Sequence, residues 1–186
     1  MGTIKTTNIE TITGSGTLTL GQSGETISVP SGATINLSNA TQTGVGGVMT
    51  PAFSVKKSSN QTIASTTNTK MQLDSEIFDT DNKYDNSTNY RFTPGVAGKY
   101  FLSLASSFQN FQSDEIMSVS ISKNGSGIVS FNNISGNYSD DFTAATSIID
   151  EANTTDYYEA FIFHRASSSQ TMIGSVSIFS GYKIIE

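Results

Sequence analysis

The chain holds one histidine, His164, and no cysteine. Nucleophilic catalysis needs a base beside the nucleophile, and no Gly-x-Ser-x-Gly elbow accompanies His164, which reads as a solvent-facing side chain at the end of an aromatic run. Glycan cleavage needs two carboxylates at a set separation. Asp140/Asp141 and Asp150/Glu151 are sequence neighbours in expected loops, so they read as solvated turn residues. No catalytic residue is assigned, and an enzyme is not expected. The run Asp79-Thr80-Asp81-Asn82-Lys83-Tyr84-Asp85 places oxygen donors at alternate positions, as a calcium loop does. Asp79, Asp81 and Asp85 are therefore the candidate calcium ligands. The run lacks the turn glycine and closing glutamate of an EF-hand, and a solvated loop is the default reading; no other cofactor is expected. Asn-x-Ser/Thr triplets at Asn60, Asn86 and Asn137 read as a product of composition rather than as glycosylation sites.

The elements that must position these residues are strands. Charged residues make up 14% of the 186, and 11 Phe and 7 Tyr supply most of the large apolar surface. β-Branched and aromatic residues suit a pleated, half-buried sheet, whereas Ala/Leu/Glu/Lys runs at helical period are missing. A net charge of −6 argues against nucleic-acid binding, which needs clustered Lys and Arg. No apolar run approaches the roughly 20 residues of a membrane helix. The N-terminus has no charged-then-apolar signal pattern. The expectation is a protein made in a cytoplasm that reaches an exterior by another route, such as assembly into a particle released by lysis.

Composition shifts near residue 50: from Thr3 to Thr50 there is no aromatic residue. Thr17-Leu18-Thr19-Leu20, Thr26-Ile27-Ser28-Val29 and Thr34-Ile35-Asn36-Leu37 repeat an alternating pattern, separated by Gly21-Gln22-Ser23-Gly24 and Pro30-Ser31-Gly32, which are turn chemistry. They read as stacked rungs, each too short to bury its own apolar edge; a β-meander packed on the head is the alternative. Gly44-Val45-Gly46-Gly47 reads as a joint. Residues 1–47 are thus assigned to a β-rich stalk and particle-docking region, and 48–186 to a head. In the head, strands are expected at Ala52–Val55, Lys70–Leu73, Glu76–Phe78, Tyr90–Phe92, Lys99–Ser107, Met117–Ile121, Ile128–Phe131, Phe142–Ile149, Tyr157–Phe163 and Met172–Ile185. Asp79–Asn89 is expected as a loop and Lys123–Gly127 as a hairpin turn. Short strands separated by turns mean a sandwich or barrel.

The stretch from Tyr84-Asp85 through Tyr90-Arg91-Phe92-Thr93-Pro94-Gly95 to Gly98-Lys99-Tyr100-Phe101, followed by Lys123-Asn124-Gly125, Asp156 and Phe179-Ser180-Gly181-Tyr182, resembles the globular head of complement component 1q. The resemblance covers roughly residues 51–186 and carries a family core motif onto Phe92, Gly98, Tyr100, Phe179, Gly181 and Tyr182. The chain departs from the pattern in a slightly shifted proline, a long Asp79–Asn89 loop and the lack of a collagen tract. Gly24 to Ser38 resembles stalk repeats in structural proteins of marine tailed bacteriophages. The resemblance implies an all-β chain: a short N-terminal β-rung stalk, then a jelly-roll β-sandwich of the tumour-necrosis-factor type, assembled as a homotrimer.

It implies a phage virion structural protein on the virion surface, a trimeric fibre or spike whose head recognises a host-surface glycan or protein. It would join other virion proteins through its N-terminal region. A capsid decoration protein and a secreted lectin- or cytokine-like head are the alternatives. Alternation puts Tyr158, Ala160 and Ile162 on one face of their strand and Tyr157, Phe161 and Phe163 on the other. The latter three are the expected trimer seam, because the resemblance implies that this strand lines the three-fold axis.

Overall fold

The computed structural model describes residues 19, 23–35, 49–111, 114–134 and 140–184. The chain divides into two compact units, Met1–Val45 and Gly46–Glu186. In the first unit, turns form around Gly24 and Gly32, which take φ of +88° and +85°. The Ala33 amide donates to the Pro30 carbonyl across the second turn. The expected rung Thr26–Val29 carries no strand pairing, and Ile27 and Ile35 are 59% and 60% exposed. The rungs Thr17–Leu20 and Thr34–Leu37 lie largely outside the described residues.

The second unit contains thirteen described strands: β1 Ala52–Lys56, β2 Gln61–Ile63, β3 Thr69–Lys70, β4 Ser75–Asp79, β5 Tyr84–Asp85, β6 Arg91–Phe92, β7 Gly98–Phe111, β8 Ile116–Lys123, β9 Ser126–Ile134, β10 Asp140–Ala152, β11 Tyr158–His164, β12 Gln170–Met172 and β13 Ile178–Lys183. They form two antiparallel sheets. In the first, β7 pairs with β10 on one side and with β12 and β13 on the other; β13 continues to β1 and then β4, and β12 to β2. In the second, the order is β5-β6-β11-β8-β9, with β3 also beside β11.

Inward residues at every second position close the sandwich. Leu102 and Leu104 from β7 meet Val119 and Ile121 from β8, Tyr158, Ala160 and Ile162 from β11, and Phe53 and Val55 from β1, all in one buried cluster. Phe53 lies at its aromatic centre, stacked on Phe92 with ring centroids 4.2 Å apart and edge-on to Phe179 at 5.0 Å. Offset and edge-on pairs add to area burial because ring edges and faces carry opposite partial charge.

Three sequence expectations need correction. The Met172–Ile185 run is broken into β12 and β13 by a short 3-10 turn, Gly174–Val176. A Cβ on Gly174 would strike the Ser59 and Lys57 carbonyls, so the chain bends where only glycine fits. The Asp79–Asn89 loop contains a strand, β5, because Tyr84 turns inward and pairs opposite Phe92 of β6. Tyr182, assigned to the core motif, is 39% exposed: it alternates with the buried Phe179 and Gly181 and faces outward from the first sheet.

Candidate interaction surfaces

The strand register decides what the outer face of the first sheet presents. Ala52 lies opposite Tyr182, Tyr182 opposite Phe101, and Phe101 opposite Ile149. This apolar row crosses four strands. The next row out from Phe78 is Ser54, Ser180, Ser103 and Ser147. A third brings Lys56 opposite Ile178, then Ala105 and Ala145. Across these three rows Lys56 is the sole charged residue, in a chain with 26 Lys, Arg, Asp and Glu in total, 10 basic and 16 acidic. Phe78 is 49% exposed and Ile149 60%, and Phe101 packs against Tyr182 with centroids 5.5 Å apart. A shallow cleft of about 380 Å³ opens here between Met49, Phe78, Phe101 and Tyr182. Exposed aromatics gathered with little charge around them make this face a candidate contact surface.

Gly181 stands under this face. A Cβ there would lie 2.6 Å from Leu102 Cδ2 and 2.8 Å from the Phe101 carbonyl oxygen, so the neighbouring strand packs where a side chain would be. Gly98 has a φ of +142° and admits the Lys183 stem over its bare Cα.

On the second sheet, Phe161 and Phe163 point outward and are half-buried, while Tyr158, Ala160 and Ile162 lie in the core. Their neighbours across β8 are Ser120 and Ser118. Tyr157, just before β11, carries the Arg91 guanidinium 4.4 Å above its ring. The seam residues expected from the sequence therefore share the outer face of the second sheet, with Tyr157 already engaged within its own subunit.

His164 is not solvent-facing. The alternation that buries Tyr158, Ala160 and Ile162 carries His164 inward too, where it is fully buried, edge-on to Phe108 at 5.1 Å. Its Nε2 lies 3.0 Å from the Ile63 carbonyl oxygen and Nδ1 has no partner. No described nucleophile hydrogen-bonds to it.

The candidate calcium ligands do not assemble. Asp85 accepts hydrogen bonds from the Ser87, Thr88 and Asn89 amides and from the Ser87 and Asn89 side chains. The Thr88 and Ser87 amides hold its carboxyl well below the usual carboxylate range. Asp79 accepts from the Tyr84 amide at 2.7 Å. These carboxylates shape turns, as Asx residues do. Among the described residues, no three His, Cys, Asp or Glu side chains are grouped to hold a metal.

A polar cluster that the sequence did not single out joins the β8–β9 hairpin to the entry of β11. Asp156 accepts from the Asn124 side chain at 2.7 Å and the Asn153 amide at 2.8 Å, and pairs with Lys123 at 3.2 Å. Lys123 also pairs with Asp150 at 2.9 Å, and Asp150 accepts from the Tyr158 hydroxyl at 2.6 Å. Asn124 and Gly125 take φ of +53° and +80°, the tight turn expected of Asn-Gly. The sequence marked the cluster's parts, the Lys123-Asn124-Gly125 hairpin and Asp156 before a strand, but not that they meet.

No family model matches the chain, and no curated protein matches it. Solved structures do. The globular domain of zebrafish complement 1qA protein superposes with a TM-score of 0.56 at 16% identity, covering 72% of this chain and 97% of that one. Murine APRIL superposes with a TM-score of 0.54 at 8% identity, covering 72% and 98%. The Eiger TNF of S. frugiperda gives 0.50 at 8%, covering 72% and 91%. At such identities the likeness is one of fold, and the chain has the jelly-roll β-sandwich fold shared by complement 1q heads and tumour-necrosis-factor-like domains.

Proposed function

We propose that this chain is a homotrimeric binding head on a virion fibre or spike, docked to the particle through residues 1–47, with no enzymatic activity. The observation that carries the self-association is the outer face of the first sheet. Its aromatic row and its two rows of small residues offer a flat, nearly uncharged surface. Strand-to-face packing needs such a surface. A three-fold ring is closed by a heterologous contact, one patch of each copy meeting a different patch of the next. The fold shared with complement 1q and tumour-necrosis-factor-like domains supports a recognition role. The exposed Ile27 and Ile35 edges of the first unit support a stalk built from several copies.

The proposal sets the three-fold contact on the first sheet rather than on β11, because the more exposed aromatics are there. Light scattering of the purified protein is expected to return three times the chain mass. Tyr182→Asp, which adds a charge at an already exposed position, is expected to give a folded monomer, and Phe161→Asp to remain trimeric. A stable wild-type monomer overturns the trimer. Dissociation by Phe161→Asp with a trimeric Tyr182→Asp protein returns the seam to Tyr157, Phe161 and Phe163. Immunogold labelling of particles tests the virion placement, and labelled tail tips or capsid faces decide between fibre and decoration roles.

A further inference from the structure

Beside β5 and β6, at one margin of the second sheet, a cleft of about 450 Å³ is lined by Asn82, Lys83, Tyr84, Asp85, Asn89, Arg91 and Thr93. Its lining is mainly polar side chains with two cations. Lys83 lies over the Gly95 turn, its Nζ 3.4 Å from where a Cβ on Gly95 would stand, and Gly95 itself takes a φ of +71°. The Thr93 amide donates to the Lys83 carbonyl at 2.8 Å and closes the rim. Arg91 is held from behind by the Tyr157 ring. Among the described residues, neither Lys83 nor Arg91 has a carboxylate partner in an ion pair. The nearby acids have other partners: Glu159 pairs with Lys70 at 2.5 Å, Asp85 is taken up by its turn amides, Asp79 accepts from the Tyr84 amide and Asp81 from the Thr80 hydroxyl.

We propose that this cleft binds a carboxylate-bearing sugar, with Lys83 and Arg91 on the carboxylate and Asn82, Asn89 and Thr93 on the ring hydroxyls. Guanidinium and ammonium groups form charge-assisted hydrogen bonds to carboxylate, and Arg91 lies on an aromatic ring that limits its rotamers. The amide and hydroxyl groups suit a neighbour rich in hydroxyls. The volume lies at the small end for a ligand site, room for one sugar unit, free or as a residue of a chain. This inference rests on the reading of the head as a recognition domain and names the class of ligand it takes.

The test is a titration of the isotope-labelled 186-residue chain with sodium D-glucuronate and with a galacturonate trimer, followed by backbone amide shifts. Glucose and sodium acetate are the controls. Saturable shifts confined to residues 82–95, with a Kd of about 1 mM, are expected for the acidic sugars. Lys83→Gln and Arg91→Gln are each expected to weaken binding about tenfold with the rest of the spectrum unchanged. If only the trimer binds, the ligand is a polysaccharide unit; if both bind alike, it is a single sugar acid. Either outcome supports the site. Acetate binding as tightly as glucuronate overturns the sugar assignment, and shifts that fail to saturate, or that survive both substitutions, overturn the site. The mass of the same sample, from light scattering, separates this result from the assembly: a trimer without saturable shifts fails the cleft alone, and a monomer fails the assembly alone.

Discussion

Gly181 and His164 are two single residues whose neighbours set their roles. Replacing Gly181 by alanine brings a Cβ against Leu102 and the Phe101 carbonyl, and backbone cannot yield as a flexible side chain can. Overpacking of this kind costs roughly 1–3 kcal/mol, so Gly181→Ala is expected to lower the urea midpoint by that amount of stability. A variant with an unchanged midpoint shows that the two strands separate freely. The glycine was legible in the sequence as part of a Phe-x-Gly-Tyr ending, but its reason was not, since the crowding comes from Leu102 and Phe53 on other strands. His164 was misread for a related cause. A strand's alternation extends one residue past its last obvious aromatic, and the parity of Tyr158 and Ile162 already placed His164 inside. The orientation of Tyr182 followed from the same parity once Phe179 was fixed in the core.

At the scale of elements, strands with strict alternation were legible, and β7, β8 and β11 lie close to their expected positions. Short pairs were not. β2 and β5 have three and two residues, too few for a period to show, and each pairs with a strand as short as itself, β12 and β6. The Lys123–Asp150–Asp156 cluster belongs to this scale, since it ties a hairpin turn to the start of β11. The Asn153 amide and the Asn124 side chain hold the Asp156 carboxyl below its ordinary range. A carboxyl whose folded pKa is lowered stabilises the fold fully above its unfolded pKa, about 3.9, and that stabilisation fades as pH falls further. Asp85, held down by the Thr88 and Ser87 amides, acts in the same direction. The melting temperature of the head is therefore expected to fall steeply below about pH 4. Asp156→Asn is expected to lose about 2 kcal/mol at neutral pH and to show a shallower acid slope. An unchanged slope assigns the acid sensitivity to Asp85 and the remaining carboxylates.

For the whole molecule, the division near residue 46 predicts that a chain beginning at Gly46 folds by itself, because the buried cluster starts at Phe53. Its strand-rich circular dichroism and cooperative melting are expected to match those of the full chain, whereas, on the proposed virion role, its incorporation into particles is expected to be lost. Normal copy number in virions would place docking elsewhere. The fold class was the most legible property, because composition and turn spacing report on it over the whole length. The proposed assembly surface was the least legible, because the row from Ala52 to Ile149 draws on four strands far apart in sequence.

The pairing of β1 with β13 sets Ala52 opposite Tyr182, and the Lys183 amide donates to the Pro51 carbonyl. The head is thus entered and left through one doorway. A unit with such a doorway is portable: it can be spliced into a surface loop of an unrelated carrier without stretching the host, and its own ends can be sewn together. Joining residue 184 to residue 51 through a few glycines and reopening the chain between the exposed Ser168 and Ser169 should yield a permuted head with the same sheets. Evolution could have moved this head between carriers by the same cut.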